Sequence, residues 1–138
     1  MLEYPDVQFH LTLAVKVNAS PLRFVWLIEP EARTCVVTRD VLAAARYPKS
    51  VRREMSDTVA REFSSEHLTI DMCGRKTSLV SLSAGLALFM RAAEEGNCSD
   101  YLADVFQVVA DHAQDRLFCA ASAIWEELGQ TRYPEGGE

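Results

Sequence analysis

A chain of 138 residues with 49% apolar and 25% charged side chains has the composition of a single globular domain, which excludes disorder as its main state. The formal net charge of −6 is unevenly distributed, because residues 1–90 carry 11 basic and 10 acidic side chains, whereas residues 91–138 carry 3 and 10. The acidic second part disfavours nucleic acid as its partner and favours either a basic protein surface or plain solvation.

The beginning of the chain predicts three strands of an antiparallel meander. Apolar and polar residues alternate over residues 7–18, which is typical of a strand with one solvated face. Residues 22–29 are apolar on both faces in the middle, which indicates a more central strand, and residues 33–37 form the third. Turn-forming sequences at residues 18–21 and 29–32 join these strands.

Two helices are predicted next. Thr38 is a suitable cap for a short helix that extends to about Arg46, and Pro48 is suited to the first position of a second helix. The second helix has one apolar stripe with a four-residue repeat, made of Val51, Met55, Val59 and Phe63.

The central element of the fold is predicted from a run without charged side chains, residues 77–90. A strand over residues 67–73, a tight turn at Gly74-Arg75 and a return strand over residues 76–82 precede it. The alternative that residues 76–82 are already helical stays open. Ser83 would then cap a buried helix with two core residues, Leu86 and Phe89.

The last helix is predicted from about Ser99 to Leu128, because its apolar residues recur every three or four positions. Such a helix is about 45 Å long, which exceeds what one small domain can cover. Two alternatives are open. Either the helix breaks near Gln114 and its later half folds back, or it is continuous and meets a partner.

The face of this helix opposite the apolar stripe changes character along its length. It first carries an acidic ridge, formed by Asp100, Asp104, Asp111 and Asp115, for which an ordinary solvated face is the alternative. It then carries a candidate protein interface, formed by Phe118, Ala121, Ser122 and Trp125. Large aromatic residues beside small ones are typical of interface anchors, so we predict a homodimer through this second half.

Two basic segments are candidate binding sites. Residues 39–61 are rich in arginine, but Arg53, Asp57 and Arg61 are spaced for ion pairs along their own helix, so nucleic-acid binding is not expected. Residues 74–78 begin with glycine and basic residues but lack the second glycine of a phosphate loop. A hairpin turn with basic residues is the better interpretation.

No pattern indicates catalysis. His112 has no second histidine one helical turn away, and no motif of a nucleophilic enzyme occurs, so we predict no catalytic residue, no cofactor and no metal site. The cysteines have no metal-binding spacing. Free thiols shielded in or beside the core are expected for all four, Cys35, Cys73, Cys98 and Cys119.

Together these patterns predict an α+β fold with a largely antiparallel five-stranded sheet, element order β-β-β-α-α-β-β-α-α, helices packed on one face and a long C-terminal helix. Residues 1–130 would form one domain and residues 131–138 a flexible tail. Lacking a signal sequence or a membrane helix, the chain is interpreted as a cytoplasmic protein-binding or regulatory module of the inhibitor, immunity or adaptor type. There are two alternatives. One is a nucleic-acid-associated protein that uses residues 39–61, and the other is an enzyme with a site assembled from distant segments.

Overall fold

The computed structural model describes residues 10–17, 19–28 and 32–132, with side chains as far as residue 129. This part has an α+β fold with the predicted order of elements. The strands are β1 (Leu11–Val17), β2 (Ser20–Leu27), β3 (Arg33–Val37), β4 (His67–Met72) and β5 (Arg75–Ser81). The helices are α1 (Thr38–Ala44), α2 (Lys49–Glu62), α3 (Leu82–Glu94) and α4 (Asp100–Arg132), and one 3-10 turn, Ser64–Glu66, precedes β4.

The described strands form one antiparallel sheet in the order β1-β2-β3-β5-β4. The alternation predicted for the first strand holds from Leu11 onward, whereas residues 7–9 lie outside the described residues. Strand β2 is buried on both faces around Phe24 and Val25, as expected for an interior strand. Residues 75–81 form a strand, which excludes the helical alternative for most of this segment.

The β4–β5 hairpin closes through a two-residue turn. Met72 pairs with Arg75, so Cys73 and Gly74 are the turn residues, and both have left-handed φ values of 54° and 81°. Two successive positive φ values are the signature of the tight turn that matches the twist of antiparallel strands. The predicted hairpin is confirmed, but its turn begins one residue earlier than predicted.

Two predicted caps are wrong. Thr38 is the first residue of α1 rather than its cap, and its hydroxyl lies 2.9 Å from the Ser78 hydroxyl. Helix α3 is capped by Ser81 instead of Ser83, because the Ser81 oxygen accepts a hydrogen bond from the Ala84 backbone N–H at 3.1 Å. Strand β5 therefore passes directly into α3.

The main core lies between the sheet and the helices. Phe106 of α4 stacks between Phe89 of α3 and Phe24 of β2, with ring centroids 4.8 Å and 6.0 Å away. A Cβ atom on Gly85 would approach the Phe106 ring to 2.9 Å and Val36 to 3.1 Å, so only glycine permits this close packing. Buried residues from all four described helices join this core, among them Val41, Val59, Leu88 and Ala113.

The opposite face of the sheet carries a smaller buried cluster, made of Val25, Leu27, Cys35, Val37 and Leu79. Burial raises the pKa of the Cys35 thiol, which therefore stays protonated near neutral pH. All four cysteines are free, but Cys73 and Cys119 are exposed. The prediction that every thiol is shielded is therefore wrong for these two.

Helix α4 is one continuous helix of 33 residues. It passes Gln114 without a break, so the predicted fold-back alternative is wrong. Its core-facing side stays buried through Leu117 and Ala121. None of the described helices combines the length and the apolar composition that crossing a lipid bilayer requires.

Candidate docking groove between α3 and α4

Helices α3 and α4 are joined by a short connection, residues 95–99, and pack against each other beside the sheet. Two depressions of about 350 Å³ and about 170 Å³ lie between them. Leu86 and Gln107 border both depressions, so the two form one groove along the helix pair. We refer to it as the α3–α4 groove.

The floor of the α3–α4 groove is apolar. Leu86 and Met90 lie one turn apart on α3, and Ala103 and Phe106 approach from α4. Met90 is 53% exposed and Leu86 is half-buried. The prediction of a fully buried Leu86 is therefore wrong, whereas Phe89 is buried as predicted. The reason is that Leu86 lies at the edge of α3 that borders the groove.

The rim of the groove is acidic. All four aspartates of the acidic ridge are exposed, and three of them, Asp100, Asp104 and Asp111, line the groove. Glu94 adds a carboxylate from α3. Within the described residues no lysine or arginine lies within 4.0 Å of these four carboxylates. The groove therefore combines an apolar floor with negative charges that no described lysine or arginine neutralises.

The predicted interface residues lie farther along α4. Phe118 is 61% exposed and Ser122 is also exposed, while Trp125 is half-buried. On an ideal helix Phe118 projects within about 60° of every ridge aspartate, so it continues the line of the acidic ridge. Ala121 is only 2% exposed on the core side and is unavailable to a partner. The interface itself stays a prediction.

The predicted ion-pair ladder on α2 is wrong. Arg53, Asp57 and Arg61 form no ion pair within 4.0 Å in the described structure. Arg61 instead donates a long hydrogen bond of 3.4 Å to the Thr58 hydroxyl, and the Arg52 Nε donates to the Tyr47 carbonyl oxygen at 2.7 Å. Two arginines of the segment are thus engaged locally.

The sequence patterns did not predict one polar arrangement, which surrounds the Ser78 hydroxyl. The Ser78 hydroxyl lies 2.8 Å from His67 Nε2 and 2.9 Å from the Thr38 hydroxyl. These residues come from β5, β4 and α1, so no linear motif could bring them together. Among the described residues no carboxylate is hydrogen-bonded to the His67 ring, and no group of three histidine, cysteine, aspartate or glutamate side chains could hold a metal ion.

The groove floor was also missed. A usable signal was present, because Leu86 and Met90 are spaced by one helical turn at the end of the charge-free run and Glu94 follows one turn later. The sequence pattern alone does not show which side of a strongly apolar helix is left open by its neighbour. No protein family, no curated protein and no solved structure matches this chain.

Proposed function

We propose that the protein is a small binding or regulatory module whose α3–α4 groove receives a basic amphipathic segment of another protein. The observation that carries this proposal is the set of unneutralised carboxylates around an apolar floor. A helix with an apolar stripe would place that stripe on Leu86 and Met90 and its lysines or arginines opposite the ridge. A module of the inhibitor, immunity or adaptor type would act through such a protein contact.

The dimensions support a helical occupant. The ridge extends from Asp100 to Asp115, about 22 Å along an α-helix, which corresponds to about 15 residues of a bound helix. The exposed Met90 suits such a role, because methionine adapts its shape to different partner side chains. The acidic rim would raise the association rate and select basic partners.

A second copy of the chain fits the groove less well, because two acidic ridges would repel each other. Self-association through the later half of α4 is a separate proposal, supported by the exposed Phe118 on a helix that does not fold back. That contact would use Phe118 and Ser122 and exclude the buried Ala121. We also propose a cytoplasmic location, which suits the free and exposed thiols of Cys73 and Cys119.

The groove is tested with a designed peptide of about 15 residues that carries leucines at helical spacing and lysines elsewhere. Asp104→Lys/Asp111→Lys should weaken its binding at least about tenfold, since both substitutions place like charges opposite the peptide. The matched control is Glu54→Lys/Asp57→Lys, which makes the same change in net charge at two exposed positions of α2. Isothermal titration calorimetry of the three proteins gives the affinities.

The apolar floor needs its own variant. Met90→Ser leaves the ridge intact and should also weaken the peptide, because it removes exposed apolar surface without changing charge. If the α2 control weakens the peptide as much as the ridge variant does, binding reflects overall charge and the groove proposal is wrong. A wild-type protein that shows no saturable binding has the same consequence.

A further inference from the structure

A separate depression lies at one end of the sheet and is built from residues that precede α4 in the chain. The antiparallel topology brings the start of β2, the end of β3 and the β4–β5 hairpin to this end. Pairing between β3 and β5 stops at Val37 and Leu79, because α1 begins at Thr38. The hairpin therefore projects beyond β3, and a cleft of about 470 Å³ separates it from α1 and α2.

This basic cleft is lined by positive charges and hydroxyl groups, with two apolar side chains, Val37 and Met72, beside them. The charges come from Arg23, Arg39, Arg75 and Lys76, and the hydroxyl groups from Ser56, Thr77 and Ser78. No aspartate or glutamate of the described residues lines the cleft. The cleft brings together the two basic segments of the sequence. Arg39 is the first residue of the segment 39–61, and the hairpin contains the segment 74–78.

The four cations are not equivalent. Arg23 is neutralised by Asp40, which accepts hydrogen bonds from Arg23 Nε at 2.8 Å, Nη2 at 3.1 Å and the backbone N–H at 3.1 Å. This pairing raises the pKa of the Arg23 guanidinium. Arg39, Arg75 and Lys76 are exposed, and none has a carboxylate within 4.0 Å in the described structure. The cleft thus presents three positive charges without an ion pair among the described residues, and Asp71 lies directly opposite Lys76 across the hairpin.

Hydroxyl groups complete the polar lining. The Ser78 oxygen is held between the Thr38 hydroxyl and His67 Nε2, at 2.9 Å and 2.8 Å, so its position is fixed by neighbouring elements. Ser56 adds a hydroxyl from α2, whereas the Thr77 hydroxyl on β5 donates to the Arg75 carbonyl oxygen at 3.2 Å. Cations together with a hydroxyl donor such as Ser56 match the charge and the acceptor oxygens of a phosphate group.

We propose that the basic cleft binds a phosphate dianion, either free or as the ester of a small molecule, through Arg39, Arg75 and Lys76. The cleft volume lies in the range of small-molecule sites. Nucleic acid is disfavoured, because a duplex needs an extended basic track and the acidic ridge and net charge of −6 oppose it. The binding would use side chains and not a phosphate loop, since a strand and no helix follows Gly74.

Calorimetric titration with pyrophosphate, inorganic phosphate and adenosine monophosphate at about 0.15 M salt tests the proposal and separates its two sources. Saturable binding is expected. If the natural ligand is a phosphate ester, adenosine monophosphate should bind more tightly than the inorganic anions. If it is a free anion, the inorganic anions should bind more tightly. Arg75→Glu/Lys76→Glu should weaken it about tenfold or more. Lys49→Glu/Arg53→Glu makes the same charge change at two exposed positions outside the cleft and should retain nearly full affinity.

The reactivity of Cys73 provides a second, independent measure of anion binding in the cleft. Cys73 lines the cleft and is exposed, whereas Cys119 is exposed on α4. Pyrophosphate should slow alkylation of Cys73 by iodoacetamide and leave Cys119 unchanged, as peptide mass spectrometry would show. Arg39→Gln provides a second variant on a different element in case the hairpin variant fails to fold by circular dichroism.

Three results would overturn the proposal. The first is the absence of saturable binding by all three anions. The second is equal weakening in the Lys49→Glu/Arg53→Glu control, which would mean that overall charge and not the cleft attracts the anion. The third is tight binding of a DNA duplex that displaces pyrophosphate and is lost in the hairpin variant, which would assign the cleft to nucleic acid.

Discussion

The α3–α4 groove and the basic cleft differ above all in the sign of their charge. The groove has carboxylates around apolar side chains such as Leu86 and Met90, whereas the cleft has arginines, a lysine and hydroxyl groups beside Val37 and Met72. Carboxylates beside apolar side chains favour a basic partner that buries hydrocarbon, and cations beside hydroxyl groups favour a small anion. A net charge of −6 therefore conceals two surfaces that attract ligands of opposite charge.

The two surfaces arise differently from the sequence. The acidic ridge follows from one helix in which aspartates share an angular sector. The cleft depends on topology, since residues 1–90 carry nearly equal numbers of basic and acidic side chains and only the fold separates them. It places Arg39 beside the hairpin and holds Asp40 on Arg23. Variants that affect one surface and spare the other therefore test the comparison.

The largest expected effect comes from removing the support of the groove. Phe106 is 1% exposed, borders the groove and stacks on Phe24 and Phe89. Phe106→Ala should lower the free energy of unfolding by about 3–5 kcal/mol, through lost burial and the cavity left behind. Urea unfolding followed by circular dichroism measures the loss.

If Phe106→Ala still folds, it also distinguishes binding at the groove from binding at the cleft. Peptide binding at the α3–α4 groove should weaken, because the groove loses its aromatic floor, whereas pyrophosphate binding at the basic cleft should persist. A loss of stability below about 1 kcal/mol would contradict the central place given to the phenylalanine stack.

Asp40→Asn tests how the charge of the basic cleft affects stability and anion binding. Asp40 is largely buried and holds Arg23 through three hydrogen bonds, so its neutralisation should cost about 1–3 kcal/mol of stability. The same change releases a fourth positive charge into the cleft and should tighten pyrophosphate binding about two- to fivefold. Weaker pyrophosphate binding by a folded Asp40→Asn protein would show that Arg23 must be held in place for the anion to bind.

Tyr47 lies between α1 and α2, which border the cleft, and contacts α3, which borders the groove. Its buried hydroxyl donates to the Leu88 carbonyl oxygen at 2.8 Å, and burial, with a smaller effect of Glu95, raises the pKa of Tyr47 to about 12. The unfolded chain releases this proton near pH 10, before the folded protein does. Stability should therefore fall as pH rises from about 10 to 12, by at most about 1.4 kcal/mol per pH unit.

Tyr47→Phe should remove the part of the alkaline dependence that comes from this tyrosine, leaving the part from the buried thiol of Cys35, and should cost about 1 kcal/mol at neutral pH through the lost hydrogen bond. Urea midpoints measured between about pH 9 and pH 11 give the comparison with wild type. Tyr101→Phe, which alters an exposed tyrosine of α4, should keep the wild-type dependence. Parallel pH curves for wild type and Tyr47→Phe would contradict the assignment.

The sequence was sufficient for the element order and the antiparallel sheet, because strand alternation and helical periodicity are local patterns. It placed Phe89 correctly but not Leu86, since only the position of α4 decides which edge of α3 is open. It identified the acidic ridge residues yet missed the groove they border. The basic cleft was beyond local patterns, because Arg39 and Arg75 meet only through strand pairing between distant segments.

The smallest effect on stability is expected at Phe118, where the two proposals about α4 diverge. Phe118 is 61% exposed, so Phe118→Ser should change the free energy of unfolding by less than about 0.5 kcal/mol. If α4 forms a homodimer, light scattering should give about twice the chain mass of 15.4 kDa for wild type and the single mass for Phe118→Ser. Val108→Ser is the control, because Val108 is 69% exposed on the same helix upstream of the predicted contact.

A monomeric wild-type protein at high micromolar concentration would rule out the homodimer and leave the exposed ring to be explained. Phe118 follows the acidic ridge in the same angular sector, about one turn beyond Asp115. A bound helix longer than the ridge would then reach it. In that case Phe118→Ser should weaken a basic peptide of about 20 residues and leave one of about 12 residues unaffected, since only the longer helix extends past the ridge. That pair of peptides decides whether the later half of α4 belongs to the groove or to a second copy of the chain.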